Sequence, residues 1–161
     1  MDKETKLIKS VHFEVLFKLS EDAEEWYARI PNWGNQGMVE LYLDIDTPFM
    51  EKNWGKLPDF IEYLHIHLSK HIQKAIEVLP TFAKLTGIFN DTKQNHLDFG
   101  FGYCVLFKDN TFFYPTLNNW EFELDFSTNN IREILENIDG YGKWTVTFNG
   151  SSITGIRREI W

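Results

Sequence analysis

Two prolines, Pro58 and Pro80, bracket the stretch that most constrains this chain: LPDFIEYLHIHLSKHIQKAIEVL, residues 57–79. Apolar residues recur at Leu57, Ile61, Leu64, Leu68, Ile72, Ala75 and Leu79, in steps of four and three. That is the stripe of an amphipathic helix. Phe60, Ile66 and Ile76 widen it, which predicts burial on more than one side. Pro58 falls in the first turn, where the missing N–H has no intrahelical partner to lose. Asp59 and Glu62 complement the positive end of the helix dipole. Pro80 predicts the end of the run, because it biases residue 79 away from helical angles. The stretch amounts to about six turns, roughly 30 Å of helix. Such a helix can cover one face of a small sheet.

The chain has 161 residues, which suits one globular domain, residues 1–161. Hydrophobic residues make up 43% and aromatics 16%, with 14 Phe, 6 Trp and 6 Tyr, so the composition is that of a folded protein. The single cysteine, Cys104, permits no internal disulfide and fits a reducing compartment. The first residues, MDKETKLIKSVHFEV, hold no apolar run of signal-peptide length. No stretch approaches the roughly 20 apolar residues of a membrane span. The expectation is a soluble cytoplasmic protein that contacts no membrane. Net charge is −8, from 16 basic and 24 acidic residues. That argues against nucleic acid as the main partner, which needs a basic surface.

Before the helix, alternation predicts three strands. From Leu7 one strand runs through Val11, Phe13, Val15 and Phe17; a weaker one spans Glu25 to Ile30; a clear third covers Met38 to Ile45. After Pro80, residues 81–89 read as a short helix or an irregular packed segment. Leu97 to Phe107 reads as a long strand, with a bulge favoured at Gly100 and Gly102. Lys108-Asp109-Asn110 reads as a hairpin turn. Trp120, Phe122, Leu124 and Phe126 alternate with Glu121, Glu123 and Asp125 in another strand. Thr128 or Asn129 caps a predicted short helix through about Ile138. Residues 143–148 and 152–160 then form a hairpin around Asn149-Gly150-Ser151. Helices do not alternate with strands. The expected fold is α+β: a mostly antiparallel sheet with one long helix packed on one face and a short second helix.

No constellation carries an evident catalytic chemistry, and none implies a cofactor. His67 and His71 lie four apart and share a helix face, as two ligands of one metal ion would. The intervening Leu68-Ser69-Lys70 supplies no general base, and a third ligand would have to come from elsewhere, such as His96. Histidines on the polar flank of a helix are the plainer reading. Cys104 sits in an apolar strand with no base beside it, which predicts core packing. Gly100-Phe101-Gly102 lacks the third glycine and following helix of a phosphate loop.

The strand faces are more informative. Glu121, Glu123 and Asp125 share one side of their strand, as do Glu40, Tyr42, Asp44 and Asp46 of theirs. Like charges on neighbouring strands repel. They are either spaced apart as an ordinary polar face or used to attract a basic partner. Trp33, Trp54 and Trp161 fall in loops or at the end of the chain, where each reads as a plug closing the sheet or as an interface anchor. In size, acidity and lack of catalytic motifs the chain resembles the small α+β immunity proteins that protect bacteria from secreted toxins. The ending, Trp144-Thr145-Val146-Thr147-Phe148-Asn149-Gly150 through Ile156-Arg157-Arg158-Glu159, is similar to small bacterial domains. The resemblance implies a binding protein whose partner is a cognate, basic toxin domain. The surface expected to meet it comprises Glu40, Tyr42, Asp44, Glu121, Glu123 and Asp125, with Trp33 as anchor. The competing reading is a metal-dependent enzyme or small-ligand-binding protein using His67 and His71.

Overall fold

In the computed structural model, which describes residues 4–22, 25–43, 54–85, 98–108, 120–128 and 142–160, eight strands form one sheet in chain order. They are β1 (Thr5–Lys9), β2 (Glu14–Leu19), β3 (Trp26–Pro31), β4 (Met38–Leu43), β5 (Phe99–Lys108), β6 (Glu121–Thr128), β7 (Gly142–Asn149) and β8 (Ser152–Ile160). Every neighbouring pair is antiparallel except β4 with β5, which run parallel. The long helix α1 (Leu57–Leu85) lies between those two strands in sequence and makes their crossover. A parallel pair needs such a connection, because no tight turn can join it. The architecture is α+β, as the pattern predicts.

One face of the sheet packs against α1. Val39, Leu41, Val105, Phe107, Phe122, Leu124, Val146 and Phe148 meet Phe60, Ile61, Leu64, Leu68 and Ala75 of the helix in one buried core. All seven residues of the predicted stripe are buried. Phe60 stacks among Phe107, Trp120 and Phe122, with ring centroids 4.8–5.7 Å away. Ile66, read as widening the stripe, instead faces solvent at 68% exposure. It lies off the apolar arc, and one helix on one sheet buries one side only.

Three sequence expectations give way. Pro80 does not end α1, which continues to Leu85. The lost backbone hydrogen bond is outweighed locally: Leu79 and Ala83 are fully buried and Phe82 packs on Trp144. The strand expected from Leu7 to Phe17 is a hairpin, broken at Ser10–Phe13, with Val11 in solvent. The second helix is, among the described residues, only a 3-10 turn at Trp33–Asn35. The helix expected at 129–138, the turn at Asp109-Asn110 and residues 86–89 of segment 81–89 lie outside the described residues. The irregularity expected near Gly100 and Gly102 is present as a register shift between Phe101 and Val105, where Tyr103 takes φ 55°.

Residues 32–37 form a clasp between β3 and β4. Asn32, Gly34, Asn35 and Gly37 all take positive φ, and Asn and Gly are the residues that do so most readily. The clasp grips the N-terminal half of α1. Trp33 Nε1 donates to the Ile61 carbonyl at 2.8 Å, Gly34 N donates to His65 Nδ1 at 3.1 Å, and Ser69 Oγ donates to the Gly34 carbonyl at 3.0 Å.

Candidate functional site

Two regions gather the polar and aromatic side chains that the fold does not consume: the sheet face turned away from α1, and a cleft beside the helix. On the outer face, alternation places Glu40 and Tyr42 of β4, Lys108 of β5, Glu121, Glu123 and Asp125 of β6, Lys143 of β7, and Arg157 and Glu159 of β8. The acids are answered from neighbouring strands. Arg157 grips Glu123 with its two terminal guanidinium nitrogens, at 2.5 and 2.7 Å, and Lys108 and Thr147 Oγ1 approach the same carboxylate. Lys143 bridges Asp125 and Glu159, each at 3.2 Å, and Glu159 also accepts from Arg157 Nε. Lys108, Arg157 and Lys143 thus alternate with Glu123, Glu159 and Asp125 in one continuous network of equal charge. Glu123 is only 2% exposed. Burial would raise its pKa, but Arg157 and Lys108 hold it below the usual carboxylate range.

Beyond this network, Glu40 accepts from Arg29 Nε at 3.0 Å and from the Tyr42 hydroxyl at 2.7 Å. Tyr42 stacks on Tyr27 of β3, with centroids 6.1 Å apart. Leu7 and Leu16 face each other across β1 and β2 on this side and are 50% and 46% exposed. The β1–β4 half of the outer face therefore sets Leu7, Leu16, Tyr27 and Tyr42 among Lys18 and the Lys9–Glu14 and Arg29–Glu40 ion pairs, beside the network of the β5–β8 half. Like Tyr42, Cys104 points outward, opposite Glu40, rather than into the core. Burial and the neighbouring Asp125 push its thiol up, so it stays protonated.

Of the expected partner-binding residues, the fold thus brings Glu40, Tyr42, Glu121, Glu123 and Asp125 onto one face, while Asp44 lies outside the described residues. Trp33 is corrected: at 0% exposure, with its indole N–H bound to Ile61, it is a plug and offers nothing to a partner. Trp54 is likewise packed, edge-on to Phe17 and Trp26.

The second region is a cleft of about 490 Å³ at the end of the sheet. One wall is a strip of α1, Tyr63, His67, Lys70, His71 and Lys74, at helical spacing. The other wall is Trp120 with the β7–β8 turn, Gly150 and Ser151. Gly150 takes φ 57° at this turn, and its N–H donates to the Trp120 carbonyl at 2.7 Å, tying the turn to β6. His71 forms the floor, 4% exposed and edge-on to Phe122 and Phe148. Its Nε2 is 3.1 Å from the Tyr63 hydroxyl. Burial, helped by His67 and Lys74, lowers its pKa to about 4, so the ring is neutral at pH 7. His67 stacks obliquely on Tyr63, centroids 4.7 Å apart. Among the described residues no group of three or more His, Cys, Asp or Glu is placed to hold a metal ion, and His96 lies outside them.

The alternation of β2 puts Leu16 on the side opposite Val15 and Phe17, where it lies, but the exposure of Leu7 and the opposing wall of the cleft had no usable signal in the sequence. Which face Leu7 occupies depends on a turn that the sequence does not announce, and Trp120 and Ser151 meet the helix only through the fold. Among the described residues no helix is long and apolar enough to cross a membrane. Comparison with protein-family models, curated proteins and solved structures returns no match.

Proposed function

We propose that the chain is a binding protein of the immunity type, which neutralises a cognate toxin domain by covering it with the outer face of the sheet. The observation that carries this reading is the set of exposed apolar and aromatic side chains on the β1–β4 half of that face. Leu7 and Leu16 stand exposed on β1 and β2, Tyr27 stacks on Tyr42 across β3 and β4, and Lys18 and the Lys9–Glu14 and Arg29–Glu40 pairs lie among them. Such a mixture of apolar, aromatic and polar side chains is the composition of a protein–protein contact. The network of the β5–β8 half adds rigidity: side chains already fixed by cross-strand pairs lose little freedom when a partner docks. Glu40, Tyr42, Glu121 and Asp125 remain in the proposed contact, while buried Glu123 acts by fixing Arg157 and Lys108. The partner is a basic domain, steered by the net charge of −8.

The test is recovery of the partner from the native host at low and moderate salt, identified by mass spectrometry, with Leu16→Arg and Tyr27→Ala variants run in parallel. The expected result is a stoichiometric basic toxin fragment, retained by the parent chain and lost with either variant or at high salt. A partner that both variants retain, or an acidic one, would overturn the reading.

A further inference from the structure

The cleft beside α1 has a composition opposite to that of the chain. The protein carries a net charge of −8, yet two lysines converge on this cleft beside His67 and the neutral His71, with no carboxylate among its described lining residues. Lys70 and Lys74 stand four residues apart on one helix face, the spacing at which like charges repel. An anion between them relieves that repulsion. Lys74 Nζ donates to the Ser151 carbonyl at 2.6 Å, which fixes the ammonium at the rim and leaves two of its three donors for another acceptor. Lys70 is exposed and pairs with no described carboxylate. Besides the Gly150–Ser151 turn, the remaining lining is of rings: Tyr63, His67 and His71 on the helix side and Trp120 across from them. The volume, about 490 Å³, lies within the range of small-ligand sites.

We propose that this cleft binds a small planar organic anion, a ring bearing a phosphate or carboxylate. The anionic group sits between Lys70 and Lys74, and the ring lies against Tyr63, His67 and Trp120. The site is separate from the outer face of the sheet and stands whether or not that face binds a toxin.

Calorimetric titration of the full chain with phenyl phosphate, benzoate, inorganic phosphate and phenol tests it, with tryptophan fluorescence as a second readout from Trp120. Phenyl phosphate or benzoate is expected to bind with a Kd below about 1 mM, and whichever binds tighter identifies the anionic group. Inorganic phosphate and phenol are each expected to bind at least about tenfold more weakly. Lys70→Met, on an exposed side chain, is expected to weaken binding about tenfold or more with an unchanged circular dichroism spectrum. Lack of binding by both ring anions would overturn the proposal. So would equal binding of phenol or of inorganic phosphate, or a Lys70→Met variant that binds like the parent.

Discussion

Glu123 shows how a single side chain can hold several strands in register. Its carboxylate, buried on β6, accepts from Arg157 of β8, Lys108 of β5 and Thr147 of β7. Replacing it with glutamine removes the carboxylate shared by Arg157 and Lys108 and leaves Arg157 with Glu159. Glu123→Gln is therefore expected to cost about 2 kcal/mol, less than for a fully buried pair because both cations reach solvent. A urea midpoint indistinguishable from the parent's would show that the network contributes little. Glu62 does comparable work at the other edge. It accepts from Ser10 Oγ and from both the backbone N–H and Nδ1 of His12, at 2.6–2.7 Å. Burial would raise its pKa, but these hydrogen bonds bring it down to about 2 from an ordinary 4.5. A carboxylate with a lowered folded-state pKa stabilises fully above its unfolded value and loses that contribution as pH falls. Stability should thus decline between about pH 4.5 and 2, and Glu62→Gln should be less stable at pH 7 with a flatter profile across that window. Parallel profiles for the two proteins would refute the assignment.

At the level of elements, α1 is organised by the clasp as much as by the sheet. Gly34 takes φ 58°, and a Cβ added there would lie 2.6 Å from Leu68 Cβ. That carbon is held by the helix backbone and cannot swing away. Gly34→Ala is expected to destabilise by about 2–4 kcal/mol, combining left-handed strain with overpacking, and to lower the thermal midpoint accordingly. A loss below about 0.5 kcal/mol would mean that the clasp can part from the helix at little cost. The helix itself was legible from residues 57–79, because the apolar period is long and regular. Its continuation past Pro80 was not. Local rules put the boundary there, whereas Phe82 and Ala83 find partners on the sheet. The β1–β2 turn was hidden for a related reason. Ser10-Val11-His12-Phe13 has no Gly, Pro or Asn to announce a turn; it is held by Glu62, 50 residues away.

For the molecule as a whole, the sheet has two four-stranded halves, β1–β4 and β5–β8, joined through the parallel β4–β5 pair. That seam lies at the centre, and β1 and β8 are the edges. Native-state hydrogen exchange should find the amides of β4 and β5 among the slowest and those of β1 and β8 fastest. Strong protection along β8 would contradict this order and indicate that its free edge is covered. The same topology decides the chemistry of the surface. The acidic rows of β4 and β6 were plain in the sequence, but Lys108, Lys143 and Arg157 lie on other strands, and only pairing brings them alongside. An expected acidic face became a largely balanced one, with the exposed Leu7 and Leu16 on β1 and β2, away from the acidic rows.

By itself the sequence determined the α+β class, the helix stripe, the terminal hairpin and the inward face of β4 and β6. Each is a periodic signal that a short window contains, and burial of the apolar period leaves one solution. Tertiary structure alone decided the parallel seam, the hairpin at Ser10–Phe13, the burial of Trp33, the neutral network around Glu123 and the cationic cleft of Lys70 and Lys74. Those depend on residues distant in the chain, and the free energy that selects them arises only when the elements meet.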